Sequence, residues 1–446
     1  MNTKHYYKNA LKMAWPSVLE SFFISLAGMI DTMMVSAMGT YAVAAVGLTT
    51  QAKFIGLTAF FAINVAVSAL VARRRGQEDE VGANEIFLTA LVMSIILCLI
   101  ISISMVYYAG PLMRISGSQS DTHAPATLYF KIITSGMIFN VIAMVINAAQ
   151  RGSGNTKIAF VTNLTSSIVN IIFNYLLING YYGFPKLGIK GAAIATVFGT
   201  FVAMVMSIRS LFHHSSYIRV KYIIKHHIQT QWQTVKSIVQ FGSTMLVENL
   251  AMRVGFLATA ITAANLGTSS FAVHNAAMNI IRIGFALADG MQVAAVALTG
   301  YALGQGEREE AITYGHVCQR IGLAISVVVA IVFFFGGESI MGAFFSNPAE
   351  IEMGTILTRF MTVIILLQIS QIIYGACLRA GGDVKYTLMA GIVSVTFIRT
   401  ITTLTLVNIF QLGLIGIWIG IFSDQFSRYL FMRHRFKQGK WTEIAI

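Results

Sequence analysis

Charged side chains are scarce in this chain. Asp, Glu, Lys and Arg together make up 11% of its 446 residues, against about 25% in a soluble globular domain. That deficit excludes a soluble enzyme and a disordered chain. Cysteine is almost missing too. Cys98, Cys318 and Cys377 sit in apolar runs without paired or CxxC spacing, which excludes a disulfide framework and a thiolate metal site. There is no HExxH, no Walker sequence, no Ser/His or His/Asp cluster and no cofactor motif. Neither catalysis nor a cofactor is therefore expected. His213-His214 and His226-His227 lack the acidic or cysteine partners of a metal site, so no metal is expected either.

What the chain has instead is 56% hydrophobic residues, gathered in long runs. The runs predict an all-α polytopic membrane protein with twelve transmembrane helices. They lie near residues 11–37, 45–72, 85–110, 124–149, 158–181, 188–212, 238–266, 272–303, 312–336, 352–377, 386–408 and 412–432. The first run is too long for a signal-peptide core and has no small-residue cleavage site after it, so a retained helix is expected. The net charge of +13 reads as loop charge facing the cytoplasm rather than as a nucleic-acid footprint. With the N-terminus inside, 22 of the 31 Lys and Arg residues fall on inner segments, and only Arg114, Lys186 and Lys190 on outer ones. This bias predicts a cell (inner) membrane protein with both termini cytoplasmic.

The two halves repeat. At an offset of 228, residues 39–77 align with 267–305 without a gap and share 11 identities in 39 positions. The same offset pairs Glu20 with Glu248 and Arg151–Lys157 with Arg379–Lys385. Six helices per copy is an even number, so both copies enter the membrane from one side and form parallel repeats. The expected organisation is two pseudo-symmetric six-helix lobes, 1–212 and 237–446, joined by a basic cytoplasmic loop at 213–236.

On Asp31-Thr-Met-Met-Val-Ser, Gln150-Arg-Gly-Ser-Gly-Asn-Thr-Lys157 with its copy Leu378-Arg-Ala-Gly-Gly-Asp-Val-Lys385, Leu266-Gly-Thr, Ala272-Val-His-Asn and Leu303-Gly-Gln-Gly, the sequence resembles the multidrug and toxic compound extrusion (MATE) family over essentially its whole length. The resemblance implies a DinF-like or NorM-like bacterial transporter. It would export hydrophobic or cationic small molecules in exchange for an inward proton or sodium ion, with no nucleic-acid partner and as a monomer in the lipid bilayer. The acids that NorM-type members carry in helices 7 and 10 stand here as Met252 and Gln368, which leans toward the DinF-like pattern centred on the helix-1 aspartate. Among residues that match the family's cation or proton site are Asp31, Asn170, Asn174 and Thr196. Asn174 departs from the aspartate found in many members.

Read from the residues alone, five acids lie in spans: Glu20, Asp31, Glu248, Asp289 and Asp424. A carboxylate at membrane depth is costly unless paired, hydrated or protonated. Asp31 follows Glu20 by three helical turns, so both face one side about 16 Å apart. Asn163, Ser167, Asn170 and Asn174 form a matching polar stripe at i, i+4, i+7 and i+11, and Thr196 and Thr200 add hydroxyls one turn apart. A lone buried carboxylate suits proton carriage better than dehydrated sodium, which wants several anionic oxygens. The competing reading is an aspartate that only holds helices together. The repeat places Thr259 opposite Asp31, and Ile398 and Thr402 opposite Asn170 and Asn174, so coupling would reside in one lobe.

Glu20 and Glu248 read equally as a substrate-attracting pair or as structural ion pairs with Arg253 or Lys53. Arg282 and Asp289, seven residues apart on one face of helix 8, are expected to pair locally or with Asp424 or Arg399 rather than to form a substrate site. Met33, Met34, Met137, Asn140, Met144 and Asn147 are candidate substrate-lining residues, since methionine adapts to many ligands, against a reading as ordinary packing. The rival function is a lipid-linked precursor flippase, for which the arginines in the C-terminal spans, Arg253, Arg282, Arg359 and Arg399, would hold pyrophosphate.

Overall fold

The computed structural model describes residues 3–36, 38, 40–116, 118, 120, 122–213 and 216–444. Twelve long helices occur among them: α1 (Thr3–Ser36), α2 (Thr40–Gly76), α3 (Glu80–Tyr107), α4 (His123–Ser135 continued by Met137–Gly152), α5 (Thr156–Asn179), α6 (Ile189–Ser210), α7 (Trp232–Asn265), α8 (Thr268–Gly304), α9 (Arg308–Gly342), α10 (Pro348–Ala380), α11 (Val384–Ile409) and α12 (Gly413–Lys437). Each expected span falls on one of them. Nine of the described helices are long and apolar enough to cross a bilayer, and the two parts of α4, bent by 45°, make a tenth. The other two are α1, which carries Glu20 and Asp31, and α12, where Asp424 and Arg428 lower the hydropathy.

Local chemistry sets several boundaries. Asp79 accepts a 2.8 Å bond from the Gly82 backbone N–H and caps α3. Asn347 caps α10 through the Ala349 N–H at 3.0 Å, with Pro348 in the first turn. Gly180 closes α5 at φ 75°, a left-handed conformation that favours glycine.

The chain forms two compact units. The first is Leu19–Gly242. The second is Met1–Val18 together with Ser243–Ile446. The boundaries therefore fall inside α1 and α7, whereas the hydropathy pattern places them in the loop at 213–236. That loop is also structured. It carries a short helix, Val220–Lys225, and Asn84 holds it from α3, donating to the Tyr217 carbonyl at 3.2 Å and accepting from the Arg219 N–H at 3.0 Å. Arg219 pairs with Glu80, and Ser216 exchanges hydrogen bonds with Gln150.

In the Leu19–Gly242 unit, Phe60, Phe87, Val145 and Ile146 centre the core between α2, α3 and α4. In the other unit α10 is the most deeply buried span, packed on α8, α9 and α12. Small residues permit the closest approaches. A Cβ at Gly152 would stand 2.5 Å from the Ser68 carbonyl oxygen, a backbone atom that cannot swing aside, while Gly110 has open space. Gly152→Leu is expected to lower the unfolding midpoint in detergent by several degrees, and Gly110→Leu to leave it unchanged. Equal midpoints would show that α2 and α4 separate freely.

Candidate ion-coupling site

The polar stripe of α5 serves two acids of α1. At one end Asn163 donates to Glu20 at 2.5 Å, and Arg151 forms a salt bridge with the same carboxylate at 2.9 Å. At the other end Asn174 donates to Asp31 at 2.5 Å and to the Asn170 oxygen at 3.4 Å. Asn170 in turn donates to the Thr196 hydroxyl at 3.1 Å. The four residues read from the sequence, Asp31, Asn170, Asn174 and Thr196, thus form one connected cluster. The match follows from spacing: 11 residues separate Glu20 from Asp31 and Asn163 from Asn174, so two helices in register bring both pairs together.

Asp31 is half-buried and Asn174 fully buried. The Asn174 carbonyl oxygen has no hydrogen-bond partner, an arrangement that calls for a water or ion at that point. No arginine bonds Asp31 among the described residues. Its charged neighbour is Lys53 of α2, and Tyr129, buried in α4, reaches Thr196. Sequence reasoning missed both: neither spacing nor repeat signals that α2 and α4 approach α1 here. Thr200 bonds the Val197 carbonyl of its own helix and stays outside the cluster.

Glu20 and Glu248 are both buried, at 6% and 5% exposure. Glu248 meets Arg379 at 3.6 Å and accepts from Thr387 at 3.3 Å, and Arg379 also donates to Gln292 at 3.1 Å. The partners are therefore Arg151 and Arg379, not Lys53 or Arg253. The signal was present in the sequence, since glutamates and arginines both repeat at the same offset.

The second unit fills the place of the Asp31 cluster differently. Thr259, opposite Asp31 in the repeat, accepts from Arg399 Nε at 2.9 Å. Arg399 bonds Asp424 at 3.4 Å and lies over the Phe256 ring. Arg428 grips Asp424 through two bonds, at 2.7 and 3.1 Å, and contacts Met252. Asp424 is wholly buried, Arg399 nearly so. At the positions paired with Asn170 and Asn174, Ile398 and Thr402 are half-buried, and their neighbours Arg399 and Thr403 are buried. Here α11 winds through two π-helical stretches, Ile392–Arg399 and Thr405–Ile409. Arg282 and Asp289 are corrected. Both side chains are exposed, and neither pairs with Asp424 or Arg399.

Of the candidate lining residues, Met137 is buried in the core around Phe60 and Phe87, and half-buried Met34 packs beside Val35 and Ile178. Asn147 is buried and accepts from Ser207 at 3.1 Å. Asn140 and Met144 are half-buried. The Met33 side chain lies outside the described residues.

A profile of the MatE family matches residues 16–176 and again 245–405, once per repeat. The chain is 27% identical over 441 residues to a Thermotoga maritima protein named probable multidrug resistance protein NorM, covering 98% of this chain and 94% of that one. It is 24% identical to a Bacillus subtilis protein named uncharacterized transporter YisQ, over 97% and 94% of the two chains. Its fold matches a structure described as the outward-facing conformation of a multidrug resistance MATE family transporter, with TM-score 0.88, 24% identity and 98% and 97% of the chains covered. The doubled match, the twelve membrane helices and the full-length likeness lead to one assignment: this chain belongs to the MatE family.

Proposed function

We propose that the protein is a proton-coupled exporter of hydrophobic or cationic compounds, with Asp31 as the group that takes up and releases the coupling ion. One observation carries this reading. Glu20, Glu248 and Asp424 are each tied to a guanidinium, whereas Asp31 is bonded by a neutral carboxamide and stays half-buried. A carboxylate fixed to arginine gains little from a proton. One held by an amide changes charge with it, and a buried charge change biases a two-state protein.

Sodium is the less suitable partner. It would find one carboxylate, amide oxygens and a hydroxyl, and Lys53 would oppose it. The lysine and arginine asymmetry supports the cell (inner) membrane with cytoplasmic termini. The repeat supports alternating access by rocking of the lobes, and the protein is proposed to act as a monomer. The flippase reading loses one of its arginines, since Arg399 is closed on Asp424 and Thr259.

The test uses purified protein in liposomes loaded with a fluorescent cation. A pH step alone should drive dye movement, and a sodium step alone should not. Movement under the sodium step only would replace the proton by sodium. Movement under neither would overturn coupled export.

A further inference from the structure

Helix α8 carries an open polar stripe inside its membrane span. Asn275, Asn279, Arg282 and Asp289 are all exposed, while Ala276, Ala277, Ile280 and Ile281 between them are buried. Their spacing of i, i+4, i+7 and i+14 puts them on one face. No hydrogen bond or salt bridge engages the Arg282 or Asp289 side chain among the described residues. Arg379, already held by Glu248 and Gln292, is the charge that acts on Asp289. Arg282 and Asp289 stand about 10 Å apart along the axis, too far to pair with each other, and about 20 Å from the nearer end of the helix. At that depth a cation and an anion without partners cannot face lipid, so this face meets water and what water carries.

The repeat sharpens the contrast. Opposite Arg282 and Asp289 in the other copy stand Phe54 and Phe61 of α2. Both rings are exposed, with centroids 6.4 Å apart. One copy of this helix therefore offers an aromatic face and the other a charged one.

We propose that the α8 stripe is a substrate subsite with a fixed charge order. Asp289 takes the cationic centre of the transported compound. Arg282, two turns away, takes a carboxylate where the compound carries one, and the two asparagines supply neutral hydrogen bonds. The occupant is an amphiphilic organic cation or zwitterion, by charge complementarity to the stripe. The inference rests on the export reading above and names the residues that would select its substrates.

Two dyes with one ring system separate the roles: rhodamine 6G, a cationic ester, and rhodamine B, which carries a free carboxylate. Binding to detergent-purified protein is read by fluorescence anisotropy, so no gradient is involved. Asp289→Asn should weaken both dyes at least tenfold, and Asp289→Glu should restore most of the loss. Arg282→Gln should weaken rhodamine B several-fold and leave rhodamine 6G unchanged. Wild-type binding that neither Asp289→Asn nor Arg282→Gln alters would overturn the subsite and leave the export reading standing. Equal loss of both dyes in Arg282→Gln at an unchanged unfolding midpoint would overturn the charge order. Failure of the wild type to bind either dye would count against the export reading and the subsite together.

Discussion

Asp31→Asn is expected to reduce gradient-driven efflux to the level of protein-free liposomes while the protein still folds and inserts. The amide is close to the carboxylate in shape and can still meet Asn174, which rotates to offer its oxygen in place of its N–H. What disappears is the change of charge. In the wild type a proton converts Asp31 from an anion beside Lys53 to a neutral acid, and that difference is the means by which the ion favours one state of the transporter over the other. Asparagine is neutral throughout, so the gradient has nothing to act on. Asp31→Glu should keep partial activity, because it keeps the titration and shifts only its position. Efflux by Asp31→Asn at the wild-type rate would transfer the coupling role elsewhere. The unfolding midpoint separates the two causes of a null result: loss of coupling leaves it unchanged, and loss of fold does not.

The largest effect on stability is expected at Asp424. Its carboxylate is completely buried between Arg399 and Arg428. Asp424→Asn leaves two guanidinium groups with no counter-charge, and arginine cannot escape the cost by losing a proton. Breaking a buried ion pair from one side costs about 3–5 kcal/mol. Spread over one unit of this size, that corresponds to a midpoint drop on the order of 10 °C. Arg399→Met is the informative contrast. It removes the weaker 3.4 Å partner and keeps the two-bond grip of Arg428, so its cost should be clearly smaller. Equal midpoints for the two variants would mean that this triad is hydrated and not a closed charge cluster.

The spans were readable because bilayer thickness writes itself into run length, and the repeat because residues 39–77 and 267–305 are identical at close-packed glycines and alanines such as Gly56 and Ala66. The Asp31 cluster was readable because Asn163, Asn170 and Asn174 lie on one side of a regular helix. Lys53 and Tyr129 were not, since their approach depends on how α2 and α4 tilt against α1, and hydropathy carries no tilt. The Glu–Arg pairs could have been read from co-repeating opposite charges. The openness of Arg282 and Asp289 could not, because which arginine Asp424 captures is decided by three-dimensional packing of α11 and α12.

The π-helical winding of α11 reaches beyond its own hydrogen bonds. A wide turn accommodates one surplus residue without lengthening the rod or disturbing its caps. Downstream of it, every side chain is turned by about 100° from where an uninterrupted spiral would point it. A duplicated gene can thus exchange a whole row of inward groups in one copy through a single insertion, without substituting them one at a time. Amides would then be exchanged for a guanidinium and a hydroxyl, and an exchangeable centre for an immobile one, with the alignment of the two copies displaced by a single column beyond the insertion.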